Sequence, residues 1–509
     1  MRLGAAVRAV GRVFRDRPTD LLPFYVLGAA VSTMAQAVGI LGLVTATLYL
    51  AATGRIAAVR EGFDQIDSSP PDPEAEPEAF EAWMESVGAA VEPAFTPLVV
   101  LVVVLTVLAL IVVVVVGYAA VSAGQLSTCR ARLRDERGLT AGVAGVRRYW
   151  LSFLGLYLLE FGLWIAISIA AVVLGGIGVL LVGVGGVAVL VGAIFLLVAT
   201  LGWLLAAIAI RAIFAFAPVG VVVDDVGAVR GASNAAGYVR THLVEAGFYY
   251  AVAIGALIGI GLLTSAFATV GVASGSALLS IFLVWPALDL LKTTLYGGGR
   301  GILSPPPAAD RSLRSQLTDG LRRGWRELAS FVRATPGLHA ASAGTLLVGF
   351  AMGWLAAGPL VGTVETSIAG RLEGHLAPAA TLEFFGNNWS VALTMAFGGI
   401  LAGIPALSSL WVNGVVLGLY GRLEVAPLEL LAFVTPHGLF EIPAIIVSGA
   451  VGLYLGANWW RTWRGAATRV ELADAIERAF WVLVGVGVLL AIAAVIEGFV
   501  SPYYWRPFL

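Results

Sequence analysis

The longest uncharged run of the chain is too long for one membrane crossing. Residues 161–210 carry no charged side chain. At about 1.5 Å per residue the run makes roughly 75 Å of helix, more than twice the ~30 Å hydrocarbon core of a bilayer. Most of its glycines lie in "LGGIGVLLVGVGG", residues 174–186. The pattern therefore predicts a helical hairpin, with spans near 150–174 and 184–209 and a turn among these glycines.

Other apolar runs predict the remaining crossings. Residues 389–421 are uncharged, and their roughly 50 Å of helix is long for one crossing and short for two. The tripeptide "GIP" at 403–405 offers a bend, so we expect this run to cross twice. The other spans are expected near 21–54, 97–123, 247–269, 274–295, 338–362, 429–457 and 479–500.

Charged residues orient these spans. Residues 61–92 contain ten acids and no base, in a proline-rich stretch expected to be an external acidic loop. Residues 129–148 contain six arginines, which the positive-inside rule assigns to the cytoplasm. The fold class is therefore all-α and polytopic, with about eleven transmembrane helices (six plus five). The N-terminus is expected to be cytoplasmic and the C-terminus outside.

The spans group into three predicted regions. Residues 1–300 form a six-span membrane domain, and residues 338–509 form a five-span membrane domain. Residues 301–337 form a cytoplasmic linker with an amphipathic helix, which suits a surface-lying helix or one that packs on a partner. Its apolar positions recur at helical spacing at Leu313, Leu317, Leu321, Trp325, Leu328 and Phe331.

Composition agrees with a multi-pass protein of the cell membrane, with the lipid bilayer as its main partner. Hydrophobic residues make up 59% of the 509, and charged residues only 12%. The net charge of −1 gives no reason to expect nucleic acid as a partner. The single cysteine excludes an internal disulfide. Phosphate-loop, GxSxG and HExxH motifs are absent from the sequence, so neither an enzyme nor a cofactor is expected.

The most distinctive polar residues are His437 and Glu441, in "PHGLFE". Four residues apart on a helix, their side chains share one face. Pro436 suits the first turn of a helix, which would place the pair, with Gly438, near the outer end of a span. A packing pair, a proton or ion relay and a lipid-headgroup contact all remain open. No metal site is expected, because a third ligand is missing nearby in the sequence.

Further candidates lie in the bent run and the last span. Asn387 and Asn388 open the first arm of the bent run, while Asn413 and Gly414 lie in the second. An asparagine in lipid needs a partner, so we expect Asn413 to bond to another helix or to backbone freed at the bend. Glu497 is expected to reach outward from the end of the last span. Small residues four apart predict close helix packing at Gly399/Gly403, Gly414/Gly418 and Gly452/Gly456.

Three blocks, at residues 384–418, 436–456 and 493–502, resemble the stage II sporulation protein M family. The resemblance covers about residues 338–505. It implies a five-span bundle and a scaffold or envelope-remodelling role, because the member that acts in spore engulfment scaffolds peptidoglycan-degrading enzymes. Membrane or envelope proteins would then be partners, and a homo-oligomer is possible. The alternative is a transporter, permease subunit or lipid-translocating protein that uses His437 and Glu441.

The first half has a fainter resemblance. Residues 214–240, "FAFAPVGVVVDDVGAVRGASNAAGYVR", are similar to the membrane domains attached to some glycerophosphodiester phosphodiesterases. The soluble phosphodiesterase domain does not accompany them, so the resemblance implies no activity.

Overall fold

A computed structural model describes residues 3–66, 69–298, 300–301, 303–308 and 311–506. Helices form nearly all of the regular structure in these residues, which confirms the all-α class. The first helices are α1 (Leu3–Asp16), α2 (Pro23–Ala29), α3 (Val31–Ala52), α4 (Arg55–Phe63), α5 (Pro77–Val91), α6 (Pro97–Arg132), α7 (Gly138–Val184), α8 (Val187–Asp224), α9 (Ala228–Thr241) and α10 (Leu243–Ala268). They are followed by α11 (Gly275–Leu279), α12 (Trp285–Gly298), α13 (Leu313–Ala334), α14 (Pro336–Ala356), α15 (Ile368–Arg371), α16 (Ala377–Gly398), α17 (Ile404–Leu423), α18 (Pro427–Trp463) and α19 (Arg469–Phe499).

Within the described residues, ten helical segments are long and apolar enough to cross a membrane, which confirms a polytopic protein. The eleventh expected crossing is the first arm of the bent run, which forms α16. This helix is 22 residues long but is not among the ten. Its two asparagines and Glu383 make it more polar than its neighbours. The side of the membrane on which each terminus lies stays a prediction.

The chain divides into two compact units, residues 32–115 and residues 1–31 with 116–509. In the smaller unit, the region expected to be an acidic loop is partly helical. Helix α5 begins at Pro77, where a proline costs no hydrogen bond, and Glu78 in its first turn favours the positive end of the helix dipole. Helix α4 contacts α5 where Gly62 meets Ala90. The prediction of a loop without packed elements was therefore wrong for residues 77–91.

In the larger unit, the long uncharged run forms the predicted hairpin of α7 and α8, with a later turn. Only Gly185 and Gly186 form the turn, and both have positive φ angles of 83° and 63°. The preceding glycines are helical. A Cβ atom on Gly178 would lie 2.9 Å from the carbonyl oxygen of Gly192, so these two glycines bring α7 and α8 into close contact. Helix α7 consequently extends ten residues beyond the predicted end at 174.

The bent run breaks where expected. Helix α16 ends at Gly398 and α17 begins at Ile404, and Gly403 has a φ of 79° at the break. Helix α16 begins at Ala377, with Pro378 in its first turn, so Asn388 lies in the middle of this helix. The expectation that the asparagines open this arm was wrong, because the polar stretch before 389 continues the same helix.

Glycines bring the C-terminal helices into backbone contact. A Cβ atom on Gly353 would collide with the carbonyl oxygen of Val415, and one on Gly418 would collide with that of Phe350, so α14 and α17 touch along their length. Gly399, directly after the end of α16, meets Gly452 on α18 in the same way. The three predicted glycine pairs therefore all lie at close helix contacts.

The amphipathic helix α13 packs on α19 of its own chain. Gly324 lies against Gly485, and Leu328 and Phe331 are buried. The Arg323 guanidinium donates to Glu477 Oε1 at 3.1 Å. The remaining apolar positions are exposed, at Leu313, Leu317, Leu321 and Trp325. Only the C-terminal part of the apolar face of α13 is therefore packed on α19. The rest of that face is not covered by the described residues.

Candidate functional site

Helix α18 carries the predicted histidine and glutamate, and it begins earlier than the sequence suggested. Pro427 occupies its first turn, so Pro436 lies inside the helix. His437 is therefore ten residues from the start, or about 15 Å along the axis. The prediction that Pro436 opens the helix was wrong, because two prolines compete for that position and the first one takes it.

An interior proline leaves a carbonyl oxygen of the preceding turn without its usual N–H donor. For Pro436 this is the carbonyl oxygen of Ala432. The Tyr504 hydroxyl donates a hydrogen bond to it at 2.5 Å. The aromatic segment after α19 thus folds back on α18 and satisfies the group that the proline leaves free.

The structure adds Glu497 of α19 to the predicted pair. One ligand atom from each of His437, Glu441 and Glu497 can be chosen so that all three atoms lie within 4.8 Å of one another. The His437 Nε2 atom is 4.0 Å from Glu497 Oε1. Three titratable side chains from two antiparallel neighbours therefore converge; we call them the HEE cluster.

The imidazole of His437 is held in a fixed orientation. Its side chain is only 7% exposed, and its Nδ1 atom lies 3.0 Å from the Ser501 hydroxyl oxygen. The Phe433 ring packs edge-on against it, with centroids 5.3 Å apart. When the Nδ1 proton is donated to Ser501, the Nε2 lone pair is directed at the carboxylates.

Glu497 does not reach outward as expected. Its side chain is 13% exposed and points between α18 and α19. Its Oε2 atom is buried and has no hydrogen-bond partner among the described residues. The prediction failed because Glu497 follows the buried face of Ala493 and Ala494, a feature that depends on which side of α19 meets α18.

The other predicted site residues lie apart from the HEE cluster. Asn413 donates to the Ser409 carbonyl oxygen at 2.8 Å, one turn back on its own helix, rather than to another helix. Gly414 packs on the Leu346 carbonyl oxygen, so it serves the α14–α17 contact. Asn388 accepts from Asn387 at 3.1 Å. Gly438 is buried beside His437.

A second polar group lies among the N-terminal helices. Lys292 Nζ and Asp289 Oδ1 form the ion pair that their spacing predicts, at 2.7 Å. The Tyr25 hydroxyl donates to Asp289 Oδ2 at 3.0 Å and lies 3.2 Å from the Cys129 sulfur. Every polar side chain named in this group has a partner, so it is a satisfied packing network.

Sequence reasoning missed Ser501 and Tyr504 as partners of α18. Both lie in the segment "SPYYW" soon after Glu497, whose aromatic residues alone suit a membrane interface. The available signal was that Ser501 lies within the third resemblance block and that Tyr504 follows it closely. Their contacts are 64 and 72 residues distant in sequence, so no local pattern could reveal them.

Comparison with known proteins supports the resemblance in the second half. Residues 342–502 match the family model described as Stage II sporulation protein M. No curated protein and no solved structure matches the chain significantly. The resemblance of the first half to phosphodiesterase membrane domains is not supported. Residues 342–502 are therefore similar to this family, and the ten apolar helices among the described residues suggest a membrane location.

Proposed function

We propose that the protein is an integral scaffold of the cell membrane that holds membrane or envelope proteins in place and catalyses no reaction itself. The match of residues 342–502 to the sporulation M model supports the class of protein. The single structural observation that carries the proposal is the backbone contact between the helices of this segment.

Such contacts favour a rigid framework over a moving one. Alternating-access transporters rock one group of helices against another around a central site. Here Gly353 and Gly418 bring α14 and α17 into backbone contact, and Gly399 at the end of α16 does the same with α18. Sliding by one turn would place larger side chains against the facing backbone, so these helices are suited to hold a fixed shape.

Photocrosslinking in native membranes tests the scaffold function. Lys292 is the only lysine of the chain and is mostly buried, so amine-reactive crosslinkers are unsuitable. A photoreactive residue at Leu317 of α13 or at Leu376 before α16 would instead probe two exposed positions. Leu393, which is 2% exposed, is the matched control position.

The scaffold function predicts adducts with another protein from at least one exposed position and none from Leu393. The purified chain in lipid vesicles should move no solute. Only self-adducts or no adducts, together with solute movement in vesicles, would contradict the proposal.

The HEE cluster favours a second candidate, a transporter or lipid-translocating protein. Ionisable side chains inside membrane helices often mark an ion or proton path. His437→Ala and Glu441→Gln would then abolish movement of the solute while the helices stay folded. Under the scaffold function, the same changes lower thermal stability and leave the crosslinked adducts intact.

A further inference from the structure

We propose that His437, Glu441 and Glu497 bind one divalent transition-metal ion, with zinc the best match, and that the ion clamps α18 to α19. This site is independent of the scaffold function: it concerns what ties the two helices together, whichever proteins the bundle holds.

The ligand atoms are close enough for one ion. Nitrogen and oxygen ligands bind zinc at about 2.0–2.2 Å, so two of them lie roughly 3.3–3.6 Å apart in a tetrahedral site. His437 Nε2 and Glu497 Oε1 are 4.0 Å apart, slightly more than this spacing. The three chosen ligand atoms all lie within 4.8 Å of one another, so the glutamate side chains must draw closer when the ion binds.

The surroundings of His437 resemble those of a metal ligand. A ligating imidazole almost always donates its other ring N–H to an oxygen, which fixes the tautomer and the ring plane. Ser501 Oγ supplies that oxygen at 3.0 Å from Nδ1, and Ser501 is fully buried. The nitrogen left for an ion, Nε2, is the one that faces the carboxylates.

Charge balance favours a bound dication at this site. Two carboxylates at one buried place repel each other, and an unpaired charge inside a membrane protein is costly. A dication with two carboxylates and a neutral imidazole has no net charge. It would also satisfy Glu497 Oε2, which is buried without a hydrogen-bond partner among the described residues.

The donor set selects the class of ion. Calcium prefers six to eight oxygen ligands, and magnesium keeps several waters in an octahedral shell. One imidazole and two carboxylates instead suit zinc, which accepts three protein ligands and a water in a tetrahedral site. Cobalt(II) takes the same geometry and has a visible absorption spectrum, so it serves as a probe.

Metal analysis of the full-length protein in lipid nanodiscs tests the site. The chain is stripped with a chelator, incubated with equimolar Zn²⁺ and desalted, and its metal content is measured by mass spectrometry. We expect about one ion per chain in the wild type and almost none in His437→Gln or Glu497→Gln. Ser501→Ala should bind 10- to 100-fold more weakly, because it removes only the orienting hydrogen bond.

Glu429→Gln is the matched control, since Glu429 lies in the first turn of α18 outside the cluster. It should bind as the wild type does, and Co²⁺ should give the same visible spectrum in both. If a ligand variant fails to fold, two measurements still test the site. They are the Zn²⁺ affinity of Ser501→Ala and the change in the wild-type melting temperature when Zn²⁺ is added.

Two results would overturn the site. Equal ion content in the wild type and in Glu497→Gln would place the metal elsewhere. An ion-free wild type, with a melting temperature insensitive to Zn²⁺ and to chelator, would show that the two glutamates share a proton instead.

Discussion

The α7–α8 hairpin and the C-terminal helix α19 are both strongly apolar, yet they use that character differently. Only 6% of the most apolar stretch of α7 is buried, against 61% of that of α19. Most valines and leucines of the hairpin are exposed, whereas α19 buries large residues such as Leu483 and Leu490 together with alanines and glycines. Hydropathy therefore identifies helices that could cross a membrane, but it does not distinguish the helices that pack on others from those that stay exposed.

The charged side chains of the two regions also differ in how they are neutralised. In the hairpin, Glu160 and Arg211 neutralise each other at 2.7 Å across α7 and α8. In the C-terminal bundle, Glu497 and Glu441 approach each other without an arginine or lysine partner in the described residues. A carboxylate paired with a basic side chain is already neutralised and can be buried in a helix contact. Two carboxylates beside a histidine instead need a bound cation or a shared proton to reduce their repulsion.

The largest expected effect comes from adding a side chain at a packed glycine of the C-terminal helices, compared with an open glycine of the N-terminal helices. Gly353→Val should lower the free energy of unfolding by about 1–3 kcal/mol, because the new atoms collide with the Val415 backbone. Gly259→Val on α10, where nothing lies within 4 Å, should change it by about 0.5 kcal/mol or less. Thermal unfolding in the same lipid measures both, and similar losses would erase the distinction between the regions.

A smaller effect is expected at the proline of α18. Tyr504→Phe should cost about 1 kcal/mol, because it removes the donor to the Ala432 carbonyl oxygen. In a Pro436→Ala background the helix supplies its own N–H, so the same change should cost almost nothing. A double-mutant cycle measures this coupling. An equal loss of unfolding free energy in both backgrounds would show that the Tyr504 hydroxyl does not compensate for the N–H that Pro436 lacks.

The smallest effect concerns the turn after α8. A hydrogen bond from Tyr149, followed by the Arg148 guanidinium, lowers the pKa of Asp225 below its usual value of 3.8. A lowered pKa contributes stability that is present above the usual value and is lost as the pH falls through the folded-state pKa. The wild type should therefore melt slightly higher than Asp225→Asn near neutral pH.

This difference should shrink as the pH falls below about 4, where the carboxylate of the unfolded chain begins to take up a proton before that of the folded chain does. Melting curves of the two proteins at several pH values measure it. A difference that stays constant from neutral to acidic pH would contradict the assigned cause, and the Asp225 carboxylate would then contribute nothing through its charge.

Elements with a strong local signal could be predicted from the sequence. The apolar runs predicted the hairpin of α7 and α8 and the long helices α18 and α19, and the glycine spacing predicted the contact at Gly452. The start of a helix was harder to predict where either of two prolines could occupy its first turn, as with Pro427 and Pro436 in α18. The place of Glu497 could not be predicted, because it depends on the face that α19 turns toward α18.

The central claim is that the HEE cluster is enclosed between helices and is shielded from acyl chains. Lipids with a photoreactive diazirine in the acyl chain test it on the unmodified protein, since the activated group reacts readily with carboxylates. Peptide mass spectrometry should find labels on Leu439, which is 71% exposed on α18, and none on His437 or Glu497. Labelling of Glu497 at the level of Leu439 would contradict the enclosed cluster.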